Sequence, residues 1–145
     1  MREKRVDYAG QCHCGALRIE YQTAVAPASW TVRACQCSFC RAHAALSTSD
    51  PAGSLAFQAV QSSALQRYRF GIQTADFLIC RICGVYVGAI CDAAAGRVGI
   101  VNVRALRPLP EGLPTPVSMQ YDGEAPAERL SRRTGRWTPL RADSL

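Results

Sequence analysis

Apolar and polar residues alternate with period two along much of the chain, the spacing of half-buried strands rather than of helices. In Ala16-Leu17-Arg18-Ile19-Glu20-Tyr21 the pattern sets Leu17, Ile19 and Tyr21 on one face and Arg18 and Glu20 on the other, and residues 30–33 repeat it. The stretch Ala26-Pro27-Ala28-Ser29 between them reads as a turn. Further strands are predicted over 55–60, 65–70 and 76–80, with buried ones over 85–90 and 98–103 around a turn at 92–96. Helical periodicity is scarce: one turn over 41–45, and the segment 125–133, which should stop near Gly135. Pro108, Pro110, Pro114 and Pro116 exclude regular helix or central strand. Residues 107–145 therefore read as a proline-rich loop and a terminal helix, and the fold class as all-β.

The 145 residues, 48% of them hydrophobic and 19% charged, have the size and composition of one globular domain with a real core, spanning 1–145. The opening stretch from Met1 to Tyr8 is charged and lacks the apolar region of an export signal, and no apolar run approaches the length of a membrane span. A cytoplasmic protein with reduced cysteines is expected. The formal charge of +6 raises the question of an anionic partner. Sixteen of the seventeen basic residues are arginine, however, and they are scattered. Their one concentration, Arg129, Arg132, Arg133 and Arg136 with Glu124 and Glu128 mixed in, reads as a solvated helix face. Without basic residues interleaved with aromatics, a nucleic-acid partner is not expected.

The chemistry lies in the cysteines. Cys35-Gln36-Cys37-Ser38-Phe39-Cys40 places three thiols within six residues. On an extended segment Cys35 and Cys37 share a face, and a turn at Ser38-Phe39 brings Cys40 beside them. Three ligands leave a zinc position open for water or substrate, whereas a structural zinc is closed by four. Cys12-His13-Cys14-Gly15 and Cys80-Arg81-Ile82-Cys83-Gly84 together supply four. The count predicts one closed zinc site on Cys12, Cys14, Cys80 and Cys83 and one open site on Cys35, Cys37 and Cys40. A disulfide framework suits short secreted chains better. A competing arrangement shares one zinc among Cys35, Cys37, Cys80 and Cys83 and leaves Cys12 and Cys14 idle. His43, three residues after Cys40, is a candidate fourth ligand for the open site. Gln36 should point away from its two neighbours, and His13 away from the ligands flanking it. Cys91 belongs to no cluster and reads as a buried apolar thiol.

The three motifs, in this order and over nearly the whole chain, resemble the glutathione-dependent formaldehyde-activating enzymes and their relatives, a family that includes centromere protein V. The matching residues are Gly10-Gln11-Cys12-His13-Cys14-Gly15-Ala16-Leu17-Arg18, Cys35-Gln36-Cys37-Ser38-Phe39-Cys40-Arg41 and Ile79-Cys80-Arg81-Ile82-Cys83-Gly84. The resemblance implies a small zinc-binding fold of folded-over antiparallel sheets, with a structural zinc on Cys12, Cys14, Cys80 and Cys83 and a catalytic zinc on Cys35, Cys37 and Cys40. It also implies carbon-sulfur lyase chemistry on adducts between a thiol such as glutathione and an aldehyde such as formaldehyde. Arg41, the arginine nearest the open trio in sequence, is a candidate for holding carboxylates of such a substrate. The alternative reading is a zinc-stabilised binding module with an anionic partner.

Overall fold

The computed structural model describes residues 4–145; the first three residues of the charged opening stretch lie outside it. The strands are β1 Val6–Gln11, β2 Leu17–Thr23, β3 Arg33–Cys35, β4 Ser47–Thr48, β5 Ser54–Ala59, β6 Leu65–Tyr68, β7 Ala75–Cys80, β8 Tyr86–Ala93, β9 Gly96–Asn102, β10 Val117–Met119 and β11 Thr138–Pro139. The helices are α1 Ser38–Ala42 and α2 Pro126–Arg136. Strands β1-β2-β5 make a three-stranded sheet. A larger sheet runs β10-β3-β4-β9-β8-β7-β6, with β11 added beside β9. Every pairing is antiparallel except that of β10 with β3. The fold is mainly β, as the alternation predicts.

The alternation in β2 does what a half-buried strand requires. Leu17, Ile19 and Tyr21 are buried while Arg18 and Glu20 face solvent. With Leu55 and Phe57 of β5 they pack onto Leu78, Val87, Ile90 and Val101 of the larger sheet. The Phe57 ring lies directly on Gly88, where a Cβ would stand 2.5 Å from it. The opposite face of the larger sheet carries Phe77, Ala89, Cys91, Val98 and Ile100, covered by Phe39 of α1 and by Trp137 after α2. Strand β8 is thus buried on both faces, which explains its unbroken apolar run.

The differences from the sequence reading have local causes. Strand β1 is an exposed edge strand with little alternation, formed through its register with β2 from Val6 opposite Thr23 to Gln11 opposite Arg18. Over 30–33, Trp30 and Val32 are buried as predicted, but pairing begins only at Arg33. The short helix starts at Ser38 rather than at residue 41 because Cys37 caps it, its Sγ accepting the Cys40 N–H at 3.4 Å. Helix α2 passes through Gly135 and ends where Trp137 turns extended into β11. The proline-rich loop stays irregular until β10, a three-residue strand at the edge of its sheet.

Candidate metal centres

Cys12 and Cys14 lie in the turn between β1 and β2, and Cys80 and Cys83 at the turn between β7 and β8. In each, the glycine after the second cysteine takes a left-handed conformation, Gly15 at φ 84° and Gly84 at φ 82°. That conformation lets the chain reverse beside the sulfur. The two turns meet although Cys14 and Cys80 are 66 positions apart. All four Sγ atoms lie within 4.8 Å of one another. Cys12 and Cys14 are 3.7 Å apart, and Cys14 and Cys80 3.6 Å. Tetrahedral zinc with Zn–S bonds of about 2.3 Å requires sulfurs about 3.8 Å apart. The Leu17 N–H donates to the Cys12 sulfur at 3.2 Å and fixes its position. Donor type, number and spacing all fit zinc. His13 is exposed beside this cluster, and the shared arrangement of Cys35, Cys37, Cys80 and Cys83 does not assemble.

The second cluster is built at a strand-to-helix junction. Cys35 ends β3, Cys37 caps α1 and Cys40 lies within it; the three Sγ atoms again fall within 4.8 Å of one another. The turn expected at Ser38-Phe39 is the first turn of α1. Gln36 is tied down by two backbone carbonyls, its N–H donating to that of Met119 and its Nε2 to that of Ala34, both at 2.9 Å. His43 is exposed, its ring 4.4 Å from that of Phe39, and it does not join the three thiols.

Three thiols in contact cannot all ionise unaided. Hydrogen bonds from Cys35 and Cys40, aided by the Cys40 and Phe39 N–H groups, pull the Cys37 thiol down to about 2. The same contacts with Cys35 and Cys37, together with burial, push Cys40 upward. One dication at the centre would let all three carry charge, and thiolate sulfur is a ligand zinc accepts. Beside them Tyr86 is buried with a hydroxyl that has no hydrogen-bond partner. Burial, and then the sulfurs of Cys40, Cys37 and Cys35, raise its pKa well above normal, so it stays a neutral donor. Each cluster can therefore coordinate a metal ion.

Of the foursome only Cys14 borders a cavity, a more open hollow of about 430 Å³, whereas all three thiols of the trio line one of about 500 Å³. Phe70, Phe77, Ile100 and Trp137 give it apolar walls, and five arginines line it: Arg33, Arg41, Arg129, Arg132 and Arg133. This corrects the expectation of a solvated helix face. Arg133 is 7% exposed, Arg129 and Arg132 are mostly buried, and only Arg136 of the four is left exposed. Arg129 and Arg132 share Glu124, at 3.3 and 2.7 Å, and Arg132 lies 3.6 Å over the Tyr121 ring. Arg133 donates to Thr74 Oγ1 at 2.6 Å, touches the Cys91 sulfur at 3.7 Å and stacks 4.8 Å over Trp137. Cys91 is buried, as expected.

Arg33, also 7% exposed, lies outside the cysteine motifs that mark the site in the sequence. One signal was available: it lies two positions before Cys35, hence on the same face of β3. Burial lowers the pKa of both Arg33 and Arg133. Arg41 lines the cavity too, from an exposed position.

The sequence model of the glutathione-dependent formaldehyde-activating enzyme family matches residues 7–118, a span holding all seven clustered cysteines. The chain belongs to that family. Among solved structures it resembles the crystal structure of a Rhodobacter sphaeroides protein, a Northeast Structural Genomics target. The two share 26% identity over 92% of this chain and 99% of the other, with a TM-score of 0.50. Among curated proteins, none matches. Family membership covers both thiol clusters but ends before α2, which supplies three of the arginines lining the cavity. Among the described residues no helix is long and apolar enough to cross a membrane.

Proposed function

We propose that this member of the formaldehyde-activating family is a zinc-dependent carbon-sulfur lyase that makes or breaks adducts between a small thiol, of the glutathione kind, and an aldehyde such as formaldehyde. The observation that carries the reading is the contrast between the clusters: four thiols form one complete ligand set, while three line a cavity large enough for a small substrate. In this reading Cys12, Cys14, Cys80 and Cys83 hold a structural zinc, and Cys35, Cys37 and Cys40 a catalytic one. Bound there, zinc would favour the thiolate form of an incoming thiol near neutral pH and polarise an aldehyde carbonyl. The chain itself supplies the rest. Cys37 and Cys40 are held by the first turn of α1, so the trio is set before substrate arrives. Phe70, Phe77 and Ile100 keep water from one side of the reacting atoms. In adduct formation the sulfur pair forms the C–S bond, the carbonyl π pair moves to oxygen, and that oxygen takes up the proton released by the thiol; cleavage is the reverse. A reducing cytoplasm, where such thiols are abundant and the clusters stay reduced, is the compartment this chemistry needs.

The test is zinc per chain together with thiol-aldehyde exchange, followed by NMR magnetisation transfer, in the parent and in Cys40→Ser. Two zincs should fall to one with the fold retained, and exchange should drop to the uncatalysed rate. Unchanged exchange in the variant, beside a two-zinc parent, would refute the assignment.

A further inference from the structure

The lyase reading leaves two buried cations in the cavity without a carboxylate partner. A guanidinium removed from water is costly unless an anion meets it. Among the described residues no carboxylate pairs with Arg33 or Arg133. Arg33 uses one N–H on Ser49 Oγ, at 2.8 Å. Arg133 spends Nη1 on Thr74 and Cys91, while its Nε is buried with no partner. Nε and Nη2 form the edge of a guanidinium that grips a carboxylate side-on through two N–H bonds. Three thiolates around one zinc dication would carry one net negative charge, which matches at most one of these two cations. Glu124 already serves both Arg129 and Arg132, and Asp122, the acid on the cavity wall, is exposed.

We propose that Arg33 and Arg133 form a carboxylate-binding subsite in the cavity of the three thiols and are the residues that recognise a carboxylate on the thiol or adduct. The claim rests on the lyase reading for the reaction but not for the binding. It goes beyond family membership, because Arg133 lies outside the residues the family matches. Thr74, Trp137 and Ser49 act as positioning residues that fix the planes of the two guanidiniums.

Calorimetric titration of the zinc-loaded protein with 3-mercaptopropionate, 2-mercaptoethanol, succinate and inorganic phosphate reads the subsite without turnover, so it stands even where adduct cleavage fails. The carboxylated thiol should bind at least tenfold more tightly than the neutral one, and succinate should compete with it. Arg133→Gln should remove that advantage and leave 2-mercaptoethanol binding in place; Arg133→Lys, which keeps the charge and loses the fork, should remove most of it and serves where the glutamine variant does not fold. Should neither thiol bind, succinate binding abolished by the Arg133 variant still supports the subsite. Equal affinity for the two thiols, an advantage that survives in the variants, or no binding of succinate would overturn it. Phosphate displacing succinate at lower concentration would overturn it as well, marking a site for free inorganic anion.

Discussion

Replacing Cys80 by serine tests what joins the two halves of the cysteine framework. The four-thiol cluster links turns whose facing residues Cys14 and Cys80 are 66 positions apart. Treated as a cross-link, a loop of that length removes about 4 kcal/mol of entropy from the unfolded chain, and zinc bound to four thiolates can contribute more. A chain of 145 residues unfolds with an entropy of about 0.3 kcal/mol/K near its midpoint, so 4 kcal/mol corresponds to a Tm lower by about 13 °C. The expected result is a drop of at least that size in Cys80→Ser by calorimetry, with one zinc lost. Cys40→Ser should lose a zinc with a much smaller change in Tm. Cys12→Ser combined with Cys80→Ser should be little worse than either alone, since each already breaks the same link. A Cys80→Ser melt within about 3 °C of the parent, or a Cys40→Ser drop of equal size, would refute the division into closed and open sites.

Other perturbations probe the packing around the sites. Gly88→Ala forces a methyl against Phe57 and should cost about 2 kcal/mol or more, read as a lower denaturation midpoint in urea. Phe39→Ala empties the aromatic cluster under α1, where Phe39 meets Phe70, Phe77 and Tyr86, and should cost about 3 kcal/mol. It should also weaken zinc at Cys35, Cys37 and Cys40 more than at the four-thiol site in competition with a chromophoric chelator. Arg132, then Arg129, hold the Glu124 carboxyl below its ordinary pKa. A depressed carboxyl stabilises the fold above its unfolded pKa and loses that contribution as pH falls through the folded one. Glu124→Gln should therefore melt below the parent at pH 6, and the difference should vanish on titration from pH 4.5 downward.

The cysteine framework was legible because close spacing restricts which sulfurs can meet, and ligand count separates a closed set from an open one. Strands β2, β5 and β7 to β9 were legible because their alternation or continuous apolarity reflects burial that is mostly settled along each strand. The elements that escaped are those whose stability lies in a partner. Strand β1 is largely exposed, β10 has three residues and β11 two, and each exists through the strand beside it. The start of α1 escaped because its cap is a cysteine rather than a serine or aspartate. The arginines of the cavity were misread for a related reason. Arginine at regular helical spacing is ordinarily solvated, and only the packing of α2 against β8 and Trp137 turns Arg133 inward.

The cavity has two walls from separate parts of the chain: thiols from the β3–α1 junction, and arginines drawn largely from α2 beyond the family-matched residues. Reactivity and admission are thereby encoded in stretches that can vary independently. Substitutions along the inner face of α2 can change which molecules enter while every sulfur stays in place, so a lineage can keep its metal chemistry intact as it exchanges one substrate for another.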